Sequence, residues 1–342
     1  MSANPVSIVP MKDGGFLLNF ADNADVLQVD DRLTEKWHKN MQTHTAGYSG
    51  CRLSINKQET KIALSGRNDL QLLTITGTKL HDIAHEAWPH FQGSNCVFTE
   101  DDQYLLFVLP AASAGNDDQV HLLRLSDYTI VAAATIPESF QTYRYTLIAT
   151  PENDIFFLEA AAGQDGVLLY QVKIDGGKLE LKALPQCSDK VFGSFSPEGK
   201  KFVMAPHYDG DLCVFSFPEM TQIIAVSEAL VLESPSDYTT AEDEDSLNFI
   251  VFFLNELYLL VFTRFGRLLV IDSNTLRASG ELLPENTEIM AYDSAGRPTE
   301  NLKDIVDFGG DIIELLLTPG KQLMLTHNSG QLRLYELPEA FR

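Results

Sequence analysis

Apolar residues along this chain come in short runs rich in Val, Ile, Leu, Phe and Thr, each closed by a polar turn carrying Gly, Asn, Asp or Pro. Runs of that length and composition predict β-strands, not helices. Residues 195 to 217, FSPEGKKFVMAPHYDGDLCVFSF, and residues 315 to 337, LLLTPGKQLMLTHNSGQLRLYEL, share one order: strand, polar turn, strand, loop with Gly, strand. The same order recurs from residues 9, 53, 96, 147 and 250, which makes seven units. Their first turns fall near Asp13, Lys57, Asp101, Glu152, Glu198, Asn255 and Gly320, at intervals of 44, 44, 51, 46, 57 and 65 residues. FIVFF and YLLVF are apolar throughout, as expected of strands covered on both faces. The longest apolar stretch, FIVFFLNELYLLVF at residues 249 to 262, is short for a helix crossing a hydrocarbon core of about 30 Å. Asn255 and Glu256 interrupt it, so two strands and a tight turn are predicted.

A loose period in the forties, built of short strands, predicts a β-propeller. Most units add a fourth strand, from Leu33, Thr129, Thr221 and Leu276. The expectation is an all-β, seven-bladed β-propeller of four-stranded antiparallel blades forming one domain over 1–342. Its blades fall near 5–40, 48–88, 94–138, 144–185, 191–230, 247–284 and 311–338. After Leu337 only PEAFR follows, so the last blade is expected to have three strands and an open edge at Gln331 to Leu337. One helical pattern is predicted at residues 297 to 307, with Thr299 as N-cap.

Ser196, Pro197, Glu198, Gly199 and Lys200, followed by Asp209 and Gly210, resemble the core of a blade in the WD-repeat family. Thr318 to Lys321 and Thr150 to Asp154 match it more loosely. No Gly-His precedes the first strands and no Trp-Asp closes the third ones, so the resemblance implies the fold without that family's Asp-His-Ser/Thr-Trp network.

Acidic residues number 48 against 25 basic ones, a formal net charge of -23. With Lys and Arg scattered, the sequence predicts no nucleic-acid surface. The start MSANPVSIVPMKDGG has no secretory pattern. Cys51, Cys96, Cys187 and Cys213 lack CxxC spacing, as expected of buried thiols in the cytoplasm. Phosphate-loop signatures are missing, and no cofactor is predicted.

In such blades the first-to-second and third-to-fourth turns lie at one end, and the second-to-third loops and blade connections at the other. The long insertions, residues 110–118, 160–166, 234–246 and 286–310, all map to the second end, where loops on a rigid scaffold serve binding. Candidate partner-binding residues there are Arg67, Trp88, Tyr143, Arg144, Tyr145, His207, Tyr208, Arg264, Phe265, Tyr292, Arg297 and His327, since interface hot spots favour Tyr, Trp and Arg. The function expected is a protein-interaction scaffold or assembly subunit, with the edge of the last blade as a further contact. The alternative is a propeller hydrolase or lactonase at the central opening, with a His as base and Arg stabilising an anion. His207 with His327 would also suit a metal. The acidic residues 241 to 245 fit a basic partner, a divalent cation or simple solvation. The plainest account of the loop His, Asn and Asp residues is that they satisfy turn backbone.

Overall fold

A computed structural model describes residues 5–20, 25–40, 52–89, 93–111, 117–137, 144–163, 166–208, 210–232, 245–264, 266–282, 289–292, 307–310, 312–327 and 331–342. The chain divides into two compact units, residues 1–188 and 189–342.

The first unit holds four antiparallel blades. These are β1 (Pro5–Pro10), β2 (Phe16–Phe20), β3 (Asp25–Val29) and β4 (Glu35–Asn40), then β5 (Arg52–Ile55), β6 (Lys61–Ser65), β7 (Asp69–Thr74) and β8 (Lys79–Ala84). After β9 (Gly93–Ser94) come β10 (Cys96–Phe98), β11 (Tyr104–Leu109), β12 (Gln119–Arg124) and β13 (Thr129–Thr135). The fourth blade is β14 (Arg144–Ala149), β15 (Ile155–Ala161), β16 (Val167–Asp175) and β17 (Lys178–Ala183), with β9 added parallel to β14.

In the second unit, β18 (Lys190–Phe195), β19 (Lys201–Pro206), β20 (Asp211–Ser216) and β21 (Gln222–Ser227) form the fifth blade, followed by a single helical turn, α1 (Glu228–Leu232). The sixth is β22 (Leu247–Phe253), β23 (Tyr258–Thr263), β24 (Leu268–Asp272) and β25 (Ala278–Leu282). A two-stranded ribbon, β26 (Ile289–Tyr292) and β27 (Asp307–Gly310), precedes the last blade, β28 (Ile312–Leu317), β29 (Gln322–His327) and β30 (Leu332–Glu336). That blade has the three strands predicted. The stretch 249–262 is the end of β22, a turn and β23, and no helix among the described residues is long and apolar enough to cross a membrane. Of the predicted helix, residues 297–306 lie outside the described residues, and Asp307 opens β27.

Blades meet through apolar side chains. Leu106, Val120 and Leu122 of the third blade pack against Leu147, Phe156 and Leu158 of the fourth, and Val203 and Val214 of the fifth against Val251, Leu259 and Val261 of the sixth. A side chain in this setting stabilises by about 2 kcal/mol when fully buried.

Polar contacts set the alignment. The first strand of each blade has one edge that its own blade leaves unpaired, and buried backbone groups there need partners. Ser7 Oγ donates to Leu53 O and accepts from Leu53 N, both at 3.3 Å. Ser54 Oγ donates to Cys96 O. Asn95 takes both backbone groups of Leu147, donating to its O at 2.9 Å and accepting from its N at 2.6 Å. Ser194 Oγ accepts from Phe253 N at 2.8 Å. Each latch joins one first strand, or the residue leading into it, to the first strand of the next blade. Bulges before Ser7 and at Gly193–Ser194 help to aim two of them. At Gly193 a Cβ would lie 2.3 Å from Val251 O, so the close approach of β18 and β22 requires glycine.

At the opposite end, turn carboxylates link blades. Glu59 accepts from Lys12 N at 2.5 Å, and Glu256 from Glu198 N at 2.6 Å. Asp102 accepts from Lys57 N at 3.0 Å and Gln58 N at 3.1 Å.

Replacing Asn95 with Ala leaves both Leu147 groups unmatched. Urea unfolding should show a loss of about 2 kcal/mol, and an unchanged midpoint would remove the latch from the account.

Candidate functional site

The first unit brings together Arg67, Trp88 and Tyr145. Trp88 N donates to Arg67 O at 2.8 Å, and Arg67 Nε donates back to Trp88 O at 3.2 Å. The Trp88 and Tyr145 rings lie 6.0 Å apart, 2% and 0% exposed, within the core shared by the third and fourth blades. The Tyr145 hydroxyl donates to Asp118 Oδ2 at 2.8 Å, while Ala111 N donates to Asp118 Oδ1 at 2.8 Å. This cluster fastens the base of the loop between β11 and β12. Trp88 and Tyr145 are therefore enclosed, and Arg144 is the exposed member, 3.8 Å from the buried Glu159 carboxylate.

In the second unit, His207 follows β19 and is fixed by its backbone N–H to Asp189 O at 3.0 Å. Its ring lies 4.4 Å from that of Tyr208 and stacks on Phe249 at 5.6 Å. His207 is buried, whereas Tyr208 is 55% and Phe249 46% exposed. Phe249 sits in an irregular part of β22, where pairing with β23 jumps from Leu247–Thr263 to Val251–Val261. The bulge carries an aromatic ring to the surface from a run that reads as continuous core. Beside it lies a groove of about 550 Å³ across β18, β22 and β28, lined by Phe192, Phe195, Phe249, Phe253 and Leu316, with Lys321 as its cation.

Arg264, exposed, follows β23 and donates its backbone N–H to Ser246 O at 2.8 Å. His327 is buried at the end of β29. Tyr292 lies on β26, opposite Asp307. Tyr143, Phe265 and Arg297 lie outside the described residues, as do positions 241–244 of the acidic segment. Its last member, Asp245, is buried 3.8 Å from Arg267, whose Nε bonds Glu281 at 3.3 Å. Among the described residues, no three His, Cys, Asp or Glu side chains gather as a metal site requires. Burial pushes the Cys96 thiol up to about 12 and that of Cys213 to about 11, so neither is a ready nucleophile.

Sequence reasoning placed His207 and Tyr208 in one loop but missed Phe192, Phe249 and the Arg267–Glu281 pair. The one available signal for Phe249 was its place between polar Asn248 and the apolar run that follows.

No protein-family model matches the chain, and no curated protein matches its sequence. Among solved structures, U3-55K is similar at 11% identity with a TM-score of 0.60, over 99% of this chain and 93% of that one. Hydrazine synthase of Kuenenia stuttgartiensis has 11% identity and a TM-score of 0.61, covering 98% and 96%. The RRP9 WD40 repeats have 10% identity and a TM-score of 0.59, covering 100% and 91%. The seven blades described above are thus those of a seven-bladed β-propeller, structurally similar to WD40 proteins.

Burial raises the Asp118 pKa, against the opposing hydrogen bonds from Tyr145 and Ala111. The folded state then holds its proton to higher pH than the unfolded chain does. Between the ordinary value of 3.8 and the raised one, this carboxyl's contribution to stability falls as pH rises. Asp118→Asn should gain melting temperature relative to wild type as pH rises above about 4. A difference that stays flat with pH would contradict the raised pKa.

Proposed function

We propose that this propeller is a protein-interaction module whose working surface is the loop end of the second unit, centred on Phe249, His207 and Tyr208. The observation that carries this reading is the exposed aromatic pair, Tyr208 and Phe249, held in place by a buried His207 between them. Exposed aromatics fixed by packing lose little freedom on binding, and such residues dominate interface energetics. The adjoining groove runs from this surface along β18, β22 and β28 toward Pro197 and Lys321, and concave, mostly apolar sites of this volume serve binding. Arg264 occupies the corresponding loop of the sixth blade. The fold does not decide between binding and catalysis, because one fold hosts both; the composition of the site favours binding.

A Tyr208→Ala, Phe249→Ala double variant tests this. Quantitative affinity purification from the source cell should recover a specific partner with wild type and lose it with the variant. For the partner so identified, each aromatic is expected to contribute about 2 kcal/mol, or roughly 30-fold in Kd. Equal recovery by a variant with unchanged melting temperature would refute this surface.

A further inference from the structure

The outer edge of the last blade is open among the described residues. His327 N donates to Gln331 O at 2.9 Å, so the alternation of the β29–β30 ladder turns the backbone groups of Leu332, Leu334 and Glu336 away from β29. None of these three N–H groups has a backbone partner among the described residues. The segment after β30 does not return as a strand. Glu339–Phe341 is a 3-10 turn, Phe341 meets Tyr258 edge-on at 5.2 Å, and Arg342 bonds Leu337 O and Glu336, both at 2.8 Å.

The six complete blades show what belongs there. Their fourth strands add apolar side chains to a core beside them: Leu179 and Leu181 of β17, Ile224 and Val226 of β21. Under that cover the third strands are mostly buried, as in β7, β20 and β24; β30 without it is half-exposed from Leu332 to Tyr335. We propose that an extended segment of another polypeptide completes this blade, running antiparallel to β30, with two apolar residues two positions apart and Lys or Arg beside them. One observation makes the segment basic: the chain carries a net charge of -23, which a cationic segment complements. A second copy of this chain is disfavoured, since edge-to-edge pairing would bring two equally acidic molecules together.

The test attaches the sequence KLELKA, that of β17, after Arg342 through a flexible Gly/Ser linker, so that edge and strand meet at high effective concentration. Hydrogen exchange is read at Leu332, Leu334 and Glu336. These amides should exchange freely in the unmodified protein and slow by about tenfold or more in the tethered one. A scrambled tether and a tethered Leu334→Pro protein should show no slowing; this proline removes a donor that the blade does not use. A charge-reversed tether, ELELEA, should protect less. Protection of the three amides in the unmodified monomer would overturn the proposal, because the chain would already cover its own edge. Protection that grows with protein concentration alongside a dimer mass would assign the edge to a second copy and overturn it too. Failure of KLELKA to slow exchange would do the same, and equal protection by ELELEA would overturn the basic character of the segment. None of these outcomes bears on the aromatic surface at Phe249.

Discussion

The blades of this propeller depend on a constraint at their inner edges. A first strand pairs with the second strand on one side only, and the other side carries backbone groups that burial would leave unmatched. Here a small polar side chain from the preceding blade answers them: Ser7 for Leu53, Ser54 for Cys96, Asn95 for Leu147, Ser194 for Phe253. Apolar packing between blades is strong but weakly directional, and these contacts choose one alignment. Asn95 goes furthest, because its amide supplies both a donor and an acceptor and so imitates a paired strand. That is also where β9 pairs in parallel with β14.

The acidity of the chain has a structural share. Glu59, Asp102 and Glu256 accept backbone N–H groups from the turn of the blade before them, while Asp30, Asp127 and Asp272 close their own third-to-fourth turns. Backbone N–H donors hold Asp30, and the Arg124 side chain holds Asp127, below the ordinary carboxylate pKa.

The repeat was legible because strand length, apolar content and turn residues are local properties. Even so, SPEGK is only the most recognisable case of a turn whose left-handed residue is Gly14, Glu59, Asp102, Gly199 or Lys321. In TPGK the left-handed position falls on Lys321, one residue after the glycine, so alignment by letters would misplace it. The site was less legible. Trp88 and Tyr145 have the composition of interface anchors and lie in the core, because burial is decided by the neighbouring blade. Phe249 has the setting of a core residue and lies outside, because a bulge turns it there. The latch residues are Ser and Asn, types that carry no signal until the next blade is in place.

The latch is tested most directly by amide exchange in the native protein. Leu53, Leu147 and Phe253 point their N–H groups away from their own blades, toward side chains of the blade before. If the latches align the blades, these three amides exchange only through large-scale opening, at least about 100-fold more slowly than the open-edge amides of β30. Exchange at the rate of those open-edge amides would contradict the account.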